Sequence, residues 1–132
     1  MIGGVKMTFA LAVSTALRKY VTFQGRARRA ELWYFALFQL ILFAIALIFE
    51  FIHTGLGQTL YTLLAIALFL PNIAVGIRRL HDIDRSGWWI LIDFVPLAGP
   101  IILLVWYCTA GTPGPNQFGP DPKATEVGQA VI

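Results

Sequence analysis

Apolar positions fall into three long runs separated by short polar stretches. Leu32 to Phe49 reads LWYFALFQLILFAIALIF, interrupted only by Gln39. Leu60 to Ile77 reads LYTLLAIALFLPNIAVGI, with Pro71 and Asn72 inside. Trp88 to Tyr107 reads WWILIDFVPLAGPIILLVWY and carries one charge, Asp93. Runs of 18 to 20 residues extend about 27 to 30 Å as helices, enough to cross a hydrocarbon core. Lipid cannot satisfy free backbone groups and three segments cannot close a barrel, so each span is helical. The pattern predicts spans over about 32–52, 59–77 and 88–107, within a membrane domain of residues 23–110.

The third run departs from a simple helix. PLAGP, residues 96–100, puts two prolines and a glycine at its centre. Proline removes a helical hydrogen bond and bends or breaks the helix. Two readings follow: a kinked span, which is the expectation, or two half-helices that re-enter and leave on one side. Pro71 gives the second run a similar kink signal.

The ends differ from this core. Phe9, Val13, Leu17 and Tyr20 recur at helical spacing, with Thr8, Ser14, Thr15, Arg18 and Lys19 on other faces. Residues 1–22 therefore read as an amphipathic interfacial helix. MTFALAVSTAL, residues 7–17, also resembles a signal peptide. A signal peptide would translocate the densest basic cluster of the chain, so the interfacial helix is preferred. Residues 111–132 form a tail whose first part, GTPGPNQFGPDP, is dense in glycine and proline and predicts turns and extended chain. The last ten residues are expected to be disordered.

Composition sharpens the membrane reading. The chain has 132 residues, 58% hydrophobic and 13% charged, against about 25% charged in a soluble domain. So short a chain cannot bury that much apolar surface in a water-facing globule. The single cysteine, Cys108, excludes an internal disulfide and a thiolate metal cage. Lys6, Arg18, Lys19, Arg26, Arg28 and Arg29 precede the first run, the 53–58 loop has no basic residue, and Arg78, Arg79 and Arg85 follow the second run. The tail holds only Lys123. Alternating spans would put nine basic residues on one side and one on the other. By the positive-inside rule the N-terminus is cytoplasmic and the C-terminus extracytoplasmic. Each basic cluster adjoins a hydrophobic run, so the partner is the bilayer and its anionic headgroups rather than nucleic acid.

Candidate chemistry is concentrated in two stretches. In FQGRARRAELWYF, residues 23–35, Arg28 and Glu31 are spaced to pair on a helix. Arg26 and Arg29 remain for lipid phosphates or for Asp82 and Asp84. In RRLHDIDRSGWW, residues 78–89, His81-Asp82 invites a metal or hydrolytic reading. His53, the only other histidine, is predicted at the opposite face, so neither a metal site nor a catalytic triad is expected. Gln39, Glu50, Asn72 and Asp93 are the polar exceptions inside the runs. Asp93 is costly in lipid unless paired or hydrated, and Arg78 or Arg79 is the expected partner. A transporter ordinarily needs more spans or internal repeats.

The stretches at 23–33, 78–89 and 111–122 together resemble the domain-of-unknown-function family 805, small bacterial inner-membrane proteins. The resemblance covers about residues 15–122 and implies a multi-pass plasma-membrane protein. It implies no activity. Its matching positions include Phe23, Gly25, Arg26, Arg29, Arg78, Arg79, His81, Asp82, Gly87, Asn116, Phe118, Gly119 and Asp121. Asp93 stands where the family's usual residue is apolar. The stretch before Met7 reads as an addition or a misassigned start.

The expectation is an all-α membrane protein of three transmembrane helices, the third proline-kinked or re-entrant, with an N-terminal amphipathic interfacial helix. Its expected role is non-enzymatic: an interaction or envelope accessory protein with a basic, lipid-facing cytoplasmic surface built from Arg26, Arg28, Arg29, Arg78, Arg79, His81 and Asp82. Partners would be anionic phospholipids, a second copy or another membrane protein. No cofactor or metal is expected. The alternative is a small oligomeric transporter or channel subunit using Asp93 and Asn72. An enzyme acting on lipid headgroups through His81 and Asp82 ranks third. With three spans the tail motif Asn116, Phe118, Gly119 and Asp121 faces away from the other two. With a re-entrant third segment all three share one surface.

Overall fold

A computed structural model describes residues 7–122. The expectations for the stretch before Met7 and for the last ten residues lie outside this range. The described chain is helical: α1 (Phe9–Arg18), α2 (Arg29–Ile52), α3 (Leu56–Asp82), a 3-10 segment (Gly87–Phe94) and α4 (Ala98–Cys108).

Two helices, α2 and α3, are long and apolar enough to cross a membrane. They form an antiparallel hairpin closed by a three-residue turn. Gly55 turns with φ 91°, a conformation that glycine adopts without steric cost. The Glu50 carboxylate accepts from the backbone N–H of Gly55 and of Gln58, both at 3.0 Å. It thus caps the first turn of α3, whose free N–H groups favour an anion. Gly57 lets the helices touch: a methyl group there would strike the Ala46 carbonyl and the Glu50 backbone. The α3 helix runs unbroken through Pro71. Leucines, isoleucines and phenylalanines such as Leu47, Ile48, Phe51, Ile66 and Phe69 stay exposed on the outer faces, where a bilayer would cover them. Midway along the pair, Gln39 and Asn72 exchange two hydrogen bonds of 2.8 and 2.7 Å.

The leading helix packs against this hairpin. Thr8 accepts from Leu11 N–H and starts α1. Its small face is turned inward, with Ala12 and Ala16 fully buried. Phe9 meets Tyr34 and Phe38 edge-on. Ala16 belongs to one buried cluster with Ala27, Leu32, Phe35, Leu68 and Val75.

The expected third span is corrected. Residues 88–107 do not form one helix. The 3-10 segment has eight residues and α4 has eleven, so each extends only about 16 Å, half the hydrocarbon thickness. PLAGP is the break. Ala98 N–H donates to the Pro96 carbonyl at 2.7 Å across Leu97, whose φ is 66° and ψ −58°. That is a γ-turn, a rare and strained conformation for a side-chain-bearing residue. Gly99 follows because a methyl group would run into the Ile92 carbonyl. Pro100 sits in the first turn of α4, where its missing N–H leaves no helical bond unmade.

Both ends of the broken segment return to the C-terminal end of α3. A methyl group at Gly87 would press on Ile77 and stand 3.4 Å from His81 Nε2. At the other end the Tyr107 and Thr109 carbonyls accept from Arg79. Trp89 and Trp106 meet edge to face at 5.7 Å, and the Arg85 guanidinium lies 4.3 Å above the Trp106 ring. The segment thus folds back on itself as a hairpin of two short helices. The residues after it therefore lie at the end of α3 they were expected to face away from.

Candidate functional site: a buried arginine knot

Three sequence stretches converge where α2 begins and α3 ends. Asp82, the last residue of α3, sits at the centre. One carboxylate oxygen accepts from Arg26 Nε at 3.0 Å, the other from Arg79 Nη1 at 2.5 Å. The Asp82 backbone carbonyl takes the N–H of Thr112 at 2.7 Å and Arg26 Nη2 at 3.3 Å. Gly111 packs flat on the same carboxylate, leaving no room for a Cβ.

Arg26 is the clasp for the tail. Its Nη1 donates to the Gly114 carbonyl at 2.7 Å and the Gly119 carbonyl at 3.3 Å, and its Nη2 to the Thr112 carbonyl at 2.6 Å. Arg79 reaches the Tyr107 carbonyl at 3.3 Å and the Thr109 carbonyl. A planar fork of five donors on a rigid plane suits this multi-carbonyl role; a lysine cannot reproduce it. The tail is shaped to present those carbonyls. Asn116 and Gly119 exchange backbone bonds of 3.0 and 3.1 Å, and Asn116 Oδ1 takes the Phe118 N–H at 2.8 Å. Asp121 Oδ2 accepts from Gly114 N–H at 3.0 Å. Gly114 and Gly119 have φ of 72° and 134°.

His81 forms a second tie. Its ring stacks on Phe118, centroids 4.1 Å apart and planes within 5°. Its Nδ1 lies 2.9 Å from the Gly25 carbonyl, and its own carbonyl accepts from Asn116 Nδ2 at 2.9 Å. Arg78 forms the third. It donates from Nη1 to Glu31 at 2.7 Å and from Nε to the Thr22 carbonyl at 3.2 Å. Its own carbonyl holds the Ala27 N–H at 3.0 Å. The knot thus holds three guanidiniums, Arg26, Arg78 and Arg79, against two carboxylates, Glu31 and Asp82. Arg78 Nη2 is buried with no hydrogen-bond partner.

Several expectations change here. Glu31 binds Arg78 across the helix pair; the sequence reading had placed Arg28 beside it. Arg78 and Arg79 do not reach Asp93, because their guanidiniums are used inside the knot. Arg26, Arg78 and Arg79 are 8%, 0% and 0% exposed, so none of the three faces lipid. Arg29 is exposed and donates to the Cys108 carbonyl at 3.0 Å. Asn72 is paired with Gln39, and Asp93 stands apart on the 3-10 segment. The tail motif Asn116, Phe118, Gly119 and Asp121 joins His81 and Arg26 instead of lying at the far end. Among the described residues no group of three or more His, Cys, Asp or Glu could hold a metal ion.

Sequence reasoning missed Thr112, Gly111 and the Trp33 indole, which donates to the Tyr107 carbonyl at 3.2 Å. They lie inside the quoted stretches 23–33 and 111–122, but their roles, an indole donor, a backbone donor and acceptor, and a missing Cβ against Asp82, depend on neighbours that only the fold brings near.

The same residues carry the family assignment. Residues 20–120 match the family described as "Protein of unknown function (DUF805)", a range that runs from just before Arg26 to just past Gly119. The chain belongs to the DUF805 family. It is 48% identical over 111 residues to "Inner membrane protein YhaH" of Escherichia coli (strain K12), covering 81% of this chain and 92% of that protein. It is 49% identical over 109 residues to "Inner membrane protein YhaI" of the same strain, covering 83% and 92%. No solved structure matches. This DUF805 chain is therefore a membrane protein of the inner-membrane class, and the site's residues other than Asp121 lie within the matched range.

Proposed function

We propose that this DUF805 protein is a non-enzymatic inner-membrane accessory protein of two spans and a re-entrant hairpin, with the knot and both flanking segments on the cytoplasmic side, binding anionic lipid through the cations left outside the knot. The carrying observation is the division of labour among the basic residues. Arg26, Arg78 and Arg79 are buried and bonded to internal acceptors, whereas Arg18, Lys19 and Arg29 are exposed at the same end. The positive-inside rule supports placing that end in the cytoplasm. The His81 and Asp82 side chains are committed to structural partners, which supports a binding role over chemistry.

The basic surface is accordingly Arg29, kept from the sequence reading, together with Arg18 and Lys19, while the buried Arg26, Arg78 and Arg79 leave it. Each contributes about 1 kcal/mol near an anionic surface, screened by salt. The test is native mass spectrometry of lipid retained by the purified protein from mixed phosphatidylglycerol and phosphatidylcholine nanodiscs. The wild type is expected to retain phosphatidylglycerol preferentially, and the Arg18→Gln, Lys19→Gln, Arg29→Gln triple variant to lose that preference. Equal retention of both lipids by the wild type, or an unchanged preference in the variant, overturns the reading.

A further inference from the structure

The space between α2, α3 and the hairpin opens beside the knot and shares His81, Tyr107 and Phe118 with it. It is a cavity of about 1100 Å³, just above the roughly 300–1,000 Å³ typical of organic-ligand sites. Its wall is mostly apolar, with the rings of Phe43, Phe69, Trp88 and Phe94 among its lining. Among the described residues, Asp93 is the one Asp, Glu, Lys or Arg side chain that lines it. Among the described residues Asp93 makes no hydrogen bond or ion pair. A lone carboxylate on a membrane segment is costly without a partner or water.

His81 adds to the same polarity. Its Nδ1 faces a backbone carbonyl, which can only accept, so the ring hydrogen is there. In the neutral ring Nε2 is then an acceptor, and it points toward Gly87 on the cavity wall. The cavity therefore offers an apolar body, aromatic faces, a free carboxylate and a ring acceptor, with no cation. Aromatic faces and a carboxylate both attract an alkylammonium group. A phosphate-bearing headgroup would find no cation in this wall.

We propose that this cavity is a binding site for a lipophilic amine, with the ammonium held at Asp93 and the apolar body among the aromatic side chains. The occupant is a free amine, because a phospholipid would bring an unmatched phosphate. The site is separate from Arg18, Lys19 and Arg29, so it stands or falls independently of the anionic-lipid reading.

The experiment measures saturable binding of radiolabelled dodecylamine at neutral pH to the full chain in phosphatidylcholine nanodiscs, with empty nanodiscs subtracting partition. Excess dodecylamine is expected to displace the label, while dodecanol and dodecanoate are at least about tenfold weaker. Asp93→Asn is expected to weaken binding about tenfold, and Asp93→Glu to preserve it. Equal competition by dodecanol, or wild-type affinity in Asp93→Asn, overturns the proposal. Loss of the signal on adding phosphatidylethanolamine to the nanodiscs overturns the free-amine assignment in favour of a lipid ammonium group. Should Asp93→Asn fail to assemble, the competition series on the wild type decides alone.

Discussion

Asp82 shows how far a single residue is legible: the sequence offers Arg26 as one possible partner, and the fold closes that pair at 3.0 Å. Its place in RRLHD predicts an acid near arginines. Which arginines it would meet depends on chain folded 56 residues away, at Arg26. Asp82→Asn keeps the shape but leaves Arg26 and Arg79 buried without their counter-charge, a loss of about 3–5 kcal/mol for a broken buried pair. The expected outcome is a large fall in Tm in detergent, with α-helical circular dichroism retained below the transition. A Tm within a degree or two of wild type would mean the knot is solvated and carries little stability. Gln39 and Asn72 give the contrasting case. Both were visible as polar exceptions, but not as a pair, because amides 33 residues apart have no periodic signature. Replacing either alone with leucine leaves the other amide without its partner on an apolar helix face that a bilayer would cover, at about 1–3 kcal/mol. The double replacement Gln39→Leu with Asn72→Leu should recover much of that loss, and a double-mutant cycle on Tm measures the coupling. Additive losses would show that the two amides do not depend on each other.

At the scale of elements, the two long apolar runs correspond to α2 and α3, helices long and apolar enough to cross a membrane. The third run misled because its composition is that of a span while its backbone is not. Hydropathy averages over residues; the break depends on three of them. Leu97 must take a positive φ, Gly99 must lie against the Ile92 carbonyl, and Pro96 cannot donate a helical bond. The prolines signalled a disturbance without telling a kink from a reversal. The distinguishing contacts, Arg79 with the Tyr107 and Thr109 carbonyls, are tertiary. Two substitutions separate these contributions in opposite directions. Leu97→Gly relieves the γ-turn strain and should raise Tm, by about 1 kcal/mol in stability. Gly99→Ala forces a methyl group into the Ile92 carbonyl and should lower Tm. Thermal melts of both variants in one detergent check the pair. A fall in Leu97→Gly would mean the leucine side chain contributes more packing than its backbone strain removes.

For the whole molecule, the break in the third apolar run decides which chemistry can meet. With three full spans the 111–122 stretch would sit across the bilayer from His81, and no side chain could bridge that distance. In the observed fold, Asn116 Nδ2 is 2.9 Å from the His81 carbonyl and Arg26 holds three tail carbonyls. Counting basic residues on alternate sides assumes that every apolar run crosses, and the break at residues 96–100 removes that assumption for the third run. The fold therefore predicts that the tail and the Arg26 region label from one side. In a Cys108→Ser background, a single cysteine at exposed Gln117 is treated with a membrane-impermeant maleimide on intact spheroplasts. The expected result is labelling only after permeabilisation, with a cysteine at exposed Thr54 in the α2–α3 turn labelled in intact cells. Labelling of Gln117→Cys in intact cells, with Thr54→Cys protected, would keep the fold and invert its orientation, moving the exposed cations away from the cytoplasmic leaflet. Labelling of both without permeabilisation would separate the tail from the opposite end of α3 and break the knot as a native arrangement. The tail position thus tests the topology and the buried arginine network in one measurement, since Arg26 can hold Gly114 and Gly119 only if both lie on the same face of the membrane.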